Sequence, residues 1–322
     1  MSERSAVPPP VTAVLDASSR WLPTRLGEVE DGLREAIAPW GHSPLGEDAA
    51  ATLAAGGKRL RPMLVLLCAG EAGGAAAVRA ATAIELVHMA TLVHDDVLDQ
   101  APLRRGQPTV AATSGRLRAQ ATGDLLLSRA FALLAEAGDA RAVELLADAS
   151  VALARGELAQ RQDAFDLSIA EERYLQRCRL KTATLFECAC LLGYDDERLR
   201  RFGAEVGLAF QLLDDVLDVT GPPERTGKAR GTDLLDGTIT LPLILAAARD
   251  PRLREVDLQA LDAAAAEALC DRIAATGVLE EVRSRALAMV VAGKQALGGE
   301  GLEAEQRQLL ELVADGVVQR YS

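Results

Sequence analysis

Aromatic side chains are scarce in this 322-residue chain: two Trp, three Tyr and five Phe make up 3% of it. Sheets draw on aromatic and β-branched residues to fill their pleated faces, so the shortage argues for helices, as do the plentiful alanine and leucine. Positive charge is short as well. Lys and Arg total 35 against 47 Asp and Glu, a net charge of −12, and a nucleic-acid partner, which calls for a basic surplus, is not expected. Small phosphorylated substrates stay open, because they need only a local basic pocket. The five cysteines (Cys68, Cys178, Cys188, Cys190, Cys270) are odd in number and scattered. They suggest no disulfide framework, and a cytoplasmic location follows. Cys188 and Cys190 point apart on a helix and read as small buried thiols rather than metal ligands. The longest apolar runs, 63–70 and 241–248, are too short to cross a bilayer, so no membrane span is expected.

Hydrophobic residues make up 49% of the chain, enough for a large core. Helical periodicity predicts helices near 24–38, 60–70, 74–100, 109–137, 139–163, 168–192, 195–220, 238–249, 256–275, 277–297 and 303–319, with no alternating strand. Glycine and proline punctuate the joints, at Gly56-Gly57, Gly73-Gly74, Pro102 and Pro108, Gly138, Gly193, Gly221-Pro222-Pro223 and Gly298-Gly299. Long helices with short joints predict antiparallel neighbours in an all-α bundle. Residues 1–20, with a proline triplet, read as a flexible arm; 21–322 read as one domain.

One acidic pentapeptide, DDVLD, occurs twice, at Asp95–Asp99 and Asp214–Asp218. Residues four apart on a helix differ in direction by roughly 40°, so the first and last Asp of each copy share a face and repel one another. Acidic runs are usually solvated helix ends. Two identical copies, each behind an apolar run in otherwise dissimilar helices, point instead to a task. Hard carboxylate oxygens in pairs suit Mg²⁺, which keeps waters and bridges protein to substrate phosphate. Two clusters facing each other across a cavity would hold several ions around one diphosphate and neutralise the charge it gains on leaving.

Cations stand near these motifs. In GGKRLRP, residues 56–62, a glycine pair precedes Lys58, Arg59 and Arg61 at a predicted helix start, an arrangement fit for an anion. Arg104 and Arg105 follow the first motif, and guanidinium forks match phosphate oxygens. Lys181-Thr182 and Lys228 add more. His88, two turns before Asp95, shares a stripe with Thr91, Asp95 and Asp99 and reads as a phosphate or substrate contact; His94 points elsewhere and reads as structural, and His42 has no evident partner.

Taken in order, GGKRLRP, ELVHMATLVHDDVLD, RRGQPT, GDLLLSRA, GELAQ, KTATLF, FQLLDDVLD, GKARGTDL and TLPLIL resemble the trans-isoprenyl diphosphate synthases, or polyprenyl synthetases, over nearly everything beyond residue 20. The resemblance implies a bundle of long antiparallel helices around a deep central cavity, a homodimer, and Mg²⁺-dependent condensation of isopentenyl diphosphate with an allylic diphosphate (geranyl, farnesyl or geranylgeranyl). It implies about three Mg²⁺ ions, held by Asp95, Asp99 and Asp214 with Asp96, Asp215 and Asp218 in support. Arg104, Lys181 and Lys228 would hold the allylic diphosphate; Lys58, Arg61, His88 and Arg105 would hold isopentenyl diphosphate. Thr182 and Gln211 would turn oxygens toward the developing carbocation, and the departed diphosphate would accept the proton.

Two positions depart from the family pattern. Thr238 stands where many relatives carry lysine, and Ala101-Pro102-Leu103 replaces the usual acidic residue before the arginine pair. Bulky residues four and five positions before the first Asp set a floor for the growing tail in the family. Here they are Thr91 and Ala90, with Val87 deeper, and none is aromatic. The expected product is long, thirty carbons or more. The alternatives are a twenty-carbon geranylgeranyl product, a terpene cyclase, or one subunit of a two-chain synthase. The second DDVLD and the GGKRLRP segment argue against the cyclase.

Overall fold

A computed structural model describes residues 9–18, 21–104, 106–221, 230–299 and 301–319. It is all-α apart from one small hairpin. The helices are α1 (Pro9–Ala17), α2 (Leu22–Ile37), α3 (Pro44–Ala54), α4 (Leu60–Ala69), α5 (Gly74–Leu98), α6 (Val110–Ser114), α7 (Arg116–Glu136), α8 (Ala140–Gln162), α9 (Glu171–Cys178), α10 (Thr184–Gly193) and α11 (Glu197–Thr220). Then come α12 (Thr232–Leu235), α13 (Leu241–Arg249), α14 (Ala263–Ala275), α15 (Val278–Ala296) and α16 (Ala304–Gln319).

Contacts within the chain divide it into two compact units. The first draws on Met1–Ser150, Glu187–Arg200 and Gly299–Val313, the second on Val151–Phe186, Arg201–Gly298 and Ala314–Ser322. In the first unit α5 packs against α7, α4 and α2. Its Ala83, Ile84, Leu86, Val87 and Ala90 are at most 1% exposed, as are Leu64–Cys68 of α4. With the preceding turn, α5 forms a stretch, Glu71–Leu98, long and apolar enough to cross a membrane, which the sequence reading had not foreseen; 67% of its most apolar window is buried inside the protein, the mark of a core helix. In the second unit Leu243, Ala246, Leu253, Ala266, Leu269, Ile273 and Val278 gather α13, α14 and the start of α15 around one apolar cluster.

The differences from the sequence-based expectations have local causes. Within the first twenty residues, expected as a loose arm, Pro9–Ala17 are helical, with Val14 fully buried. Helix α3 was not expected, although it is signalled by Ser43, whose hydroxyl accepts from the Gly46 N–H at 3.2 Å, and by Pro44 in its first turn. The single helix expected over 109–137 is cut at Gly115, whose φ of 84° an L side chain resists. The helix expected from 256 begins only at Ala263, where Asp262 Oδ1 accepts from the Ala265 N–H at 2.8 Å. The hairpin pairs Leu103 with Pro108 and Arg104 with Gln107; two residues per strand carry no readable period.

Candidate functional site

The first DDVLD closes α5. Asp96 is 5% exposed, while Asp95 is half-buried and Asp99 exposed. Asp99 ends the helix with its N–H on the Asp95 carbonyl at 2.8 Å, and Gln100 then turns left-handed, φ 51°. The chain doubles back through the hairpin, so that Arg104 Nε donates to Asp96 Oδ1 at 2.8 Å. Thr109 Oγ1 donates to the Ala101 carbonyl at 2.7 Å and fastens the hairpin's far end. Arg104 is thus brought to the motif by a buried carboxylate.

Beside this motif the first unit holds a cavity of about 640 Å³, lined among others by Gly56, His88, Leu92, Asp96, Arg104 and Gln107. Arg61 Nη1 lies 3.2 Å from His88 Nε2. A guanidinium only donates, so in this pair the ring nitrogen is the acceptor. Arg59, which the sequence placed with the anion-binding cations, does another job. Its Nε donates to Glu30 at 2.5 Å and its Nη1 to Glu85 at 2.8 Å, clamping the start of α4 between α2 and α5. Lys58 is exposed. His94 contacts the Gln120 carbonyl at 3.3 Å and Asp124 at 3.2 Å, in keeping with a structural role. Val87 and Ala90 are each 1% exposed, in the core of this unit; Thr91 is half-buried and donates to the His88 carbonyl at 2.8 Å.

The second DDVLD lies near the end of α11. Here too the second carboxylate turns inward: Asp215 is 2% exposed, Asp218 half-buried and Asp214 exposed. Among the described residues, neutral side chains rather than a cation answer Asp215. Tyr174 Oη donates to its Oδ2 at 2.6 Å, and Gln211 Nε2 donates to its Oδ1 at 2.7 Å. Thr182 Oγ1 donates in turn to Gln211 Oε1 at 2.7 Å. Burial, joined by the charge of Asp233, pushes the Asp215 carboxyl up to about 8. The two donors act against that rise, since hydrogen bonds donated to the carboxyl favour its ionised form. Asp218 accepts from the Asp233 N–H at 3.3 Å, and Thr238 donates its N–H to the Asp233 carbonyl at 2.8 Å. Thr238 therefore sits on the loop that steadies this motif.

Lys181 and Thr182 lie in a widened helical turn, Arg179–Ala183, between α9 and α10. Such turns expose side chains and backbone that a regular helix would hide, and they recur at functional sites. Two glycines admit it. A Cβ on Gly156 of α8 would come within 2.7 Å of the Lys181 amide nitrogen, and one on Gly207 of α11 within 2.7 Å of the Ala183 Cα. Sequence reading missed both, since a glycine inside a helix signals close approach only once the neighbour is known. Lys181 Nζ pairs with Glu157, which also accepts from Arg161 at 2.9 Å. Burial alone would raise the Glu157 carboxyl, but those two cations outweigh it and hold it below its usual range.

Arg105 and Lys228 lie outside the described residues. Among the described residues no three His, Cys, Asp or Glu side chains are gathered closely enough to cage a metal ion. The chemistry of the donor set still fits Mg²⁺: each motif keeps two carboxylates more accessible than its buried partner, and Mg²⁺ fills out its shell with water and substrate phosphate.

The family model described as polyprenyl synthetase matches residues 43–274. The chain belongs to the polyprenyl synthetase family. It is 43% identical to heptaprenyl diphosphate synthase component 2 of Geobacillus stearothermophilus over 242 residues, 72% of this chain and 75% of that one. Among solved structures it is similar to a decaprenyl diphosphate synthase from Rhodobacter capsulatus, with a TM-score of 0.87 and 32% identity over 97% of this chain and 99% of that one. A polyprenyl synthase from Caulobacter crescentus, complexed with calcium and isoprenyl diphosphate, superposes with a TM-score of 0.84 and 33% identity, covering 97% and 98%. All five cysteines of this polyprenyl synthetase are free and buried, as their scatter suggested.

Proposed function

We propose that this synthetase condenses isopentenyl diphosphate with an allylic diphosphate to give an all-trans polyprenyl diphosphate of thirty carbons or more. The observation that carries the reading is the paired construction of the two DDVLD motifs, each with an anchored inner aspartate and two more accessible ones. Asp95, Asp99 and Asp214 would hold the Mg²⁺ ions, about three in number. The ions supply electrostatic stabilisation of the leaving diphosphate. Arg104 and Lys181 add positive charge at the allylic diphosphate, with Lys228 assigned there by the family pattern. Arg61 and His88, beside the cavity of the first unit, hold isopentenyl diphosphate with Lys58 and Arg105, and Leu92 offers its hydrocarbon an apolar wall. Thr182 and Gln211 face the allylic cation. The protein's contribution is orientation and preorganised charge rather than a protein base.

Chain length is supported by the heptaprenyl and decaprenyl names of similar proteins and by the absence of an aromatic at Val87, Ala90 and Thr91. Residues 21–322 act as one synthetase domain in this reading. A cytoplasmic homodimer belongs to it too, and the exposed Val151 and Leu158, 61% and 58% accessible, offer apolar surface to a second copy. Incubating the purified protein with isopentenyl and farnesyl diphosphates plus Mg²⁺, then sizing the product, tests the proposal. No elongation from any allylic primer, or elongation that a chelator leaves untouched, would refute it. Ala90→Phe should shorten the product, read beside Thr91→Phe because position 90 is the more tightly packed; an unchanged length in both would remove the floor argument.

A further inference from the structure

We infer that Tyr174 is a positioning residue: through Asp215 it fixes which way the Gln211 amide faces, and so compels the Thr182 hydroxyl to present lone pairs rather than a proton to the substrate.

The inference rests on the reading above, in which Thr182 meets an allylic cation, and it follows from counting donors and acceptors. Tyr174, 1% exposed, gives its one O–H to Asp215 Oδ2 at 2.6 Å. It is itself held in place: the Arg177 guanidinium lies over its ring at 5.5 Å and is anchored by Asp163 and by the Ile239 carbonyl. Asp215 then has Oδ1 left, and in the ionised form, which both donors favour, it only accepts. Gln211 must therefore turn its NH₂ to Asp215, at 2.7 Å, which aims Oε1 the other way. Thr182 stands at that oxygen, 2.7 Å off, and must donate to it. The reversed amide would set two acceptors, Gln211 Oε1 and Asp215 Oδ1, against each other in a buried place. A hydroxyl whose proton is spent inward offers only lone pairs outward, the polarity that a neighbouring carbocation favours. Gln211 Oε1 gives one of its two lone pairs to that proton, so Thr182 takes the larger share of the cation-facing duty.

The test exchanges the donors and then restores the net charge. Asp215→Asn keeps size and fold but can turn its amide NH₂ to Gln211 while its oxygen accepts from Tyr174. Gln211 is then reversed and the Thr182 proton is sent outward. We expect kcat with isopentenyl and farnesyl diphosphates to fall about 100-fold, the loss typical of one misplaced dipole at developing charge, with KM changed less than threefold. Adding Gln211→Glu to Asp215→Asn restores an acceptor toward Thr182 and the original net charge, and should recover at least tenfold of kcat. Tyr174→Phe should lower kcat by about tenfold, again with KM little moved. A double variant no faster than Asp215→Asn overturns the inference, since it marks Asp215 as needed for its own charge. So does an Asp215→Asn enzyme of native kcat. If the wild-type protein itself elongates no primer, the functional reading has failed first, and the amide orientation is then tested by the amide and hydroxyl resonances of Gln211 and Thr182, whose pattern should change between Asp215→Asn and the double variant. Unchanged resonances there overturn the inference independently.

Discussion

The two DDVLD segments share every residue and differ in what holds them. In each, the second aspartate is driven inward and the outer two stay more accessible, because on a helix with one apolar side positions one and five fall together and position two does not. The first motif meets its buried charge with a cation: Asp96 takes Arg104 from a hairpin that returns to it. The second meets it with neutral donors, Tyr174 and Gln211. The cations are disposed differently too. Arg104 is tied to its own motif, whereas Lys181 is tied to Glu157 of α8. The same pentapeptide thus serves in one place as an anchor for a guanidinium and in the other as the hub of an orienting network. Sequence identity of a motif does not carry over to identity of role for its inner residue.

The largest effect expected is common to both motifs. Asp95→Ala and Asp214→Ala should each reduce turnover by several orders of magnitude, since each removes a proposed metal ligand, while circular dichroism remains that of the folded enzyme. Near-native turnover in either variant would break the symmetry at its accessible positions. Next comes the packing that only the second motif depends on. Gly207→Ala forces a methyl against the Ala183 backbone, and overpacking of this kind costs about 1–3 kcal/mol. Denaturant midpoints should fall accordingly, with kcat reduced because Thr182 shifts; a variant with native midpoint and kcat would show that the turn yields freely. A smaller effect is expected at the first motif. Asp96→Asn leaves Arg104 a weaker acceptor, worth about 1 kcal/mol, and amide exchange should quicken in the hairpin at Leu103–Pro108 alone. Global acceleration would contradict the local role given to this pair.

What the sequence disclosed and what it hid divide along the same line. The helices and the two motifs were legible because period and repetition are properties of one segment. The sharing of a face by Asp95 and Asp99, or by Asp214 and Asp218, follows from 3.6 residues per turn alone. The fate of Arg59 was not legible: it stands in a basic run beside Lys58 and Arg61, yet Glu30 and Glu85 claim it from other helices. Tyr174 carried no mark at all, lying forty-one residues before the aspartate it serves. Gly156 and Gly207 looked like ordinary helix-weakening residues until the turn they admit was seen. Partners distant in sequence set these roles, and pattern along one chain segment does not reach them.

The smallest effect concerns Lys181 and its resting partner. The Glu157 carboxyl is held below its ordinary range in the folded protein, so it binds a proton less readily folded than unfolded. By linkage the pair's contribution is full above the unfolded glutamate range and is lost as pH falls through the depressed folded value. Glu157→Gln should therefore lower the denaturant midpoint at pH 7 more than at pH 4, by less than about 1 kcal/mol for a partly exposed ion pair. A variant whose deficit is equal at both pH values would show that the carboxylate's charge contributes nothing there. The same substitution loosens Lys181 and should change KM for the allylic diphosphate more than kcat. Glu85, whose partner Arg59 has no proposed substrate role, should move neither constant when changed to Gln, and a KM shift there would mean that the clamp at the start of α4 also sets the diphosphate site.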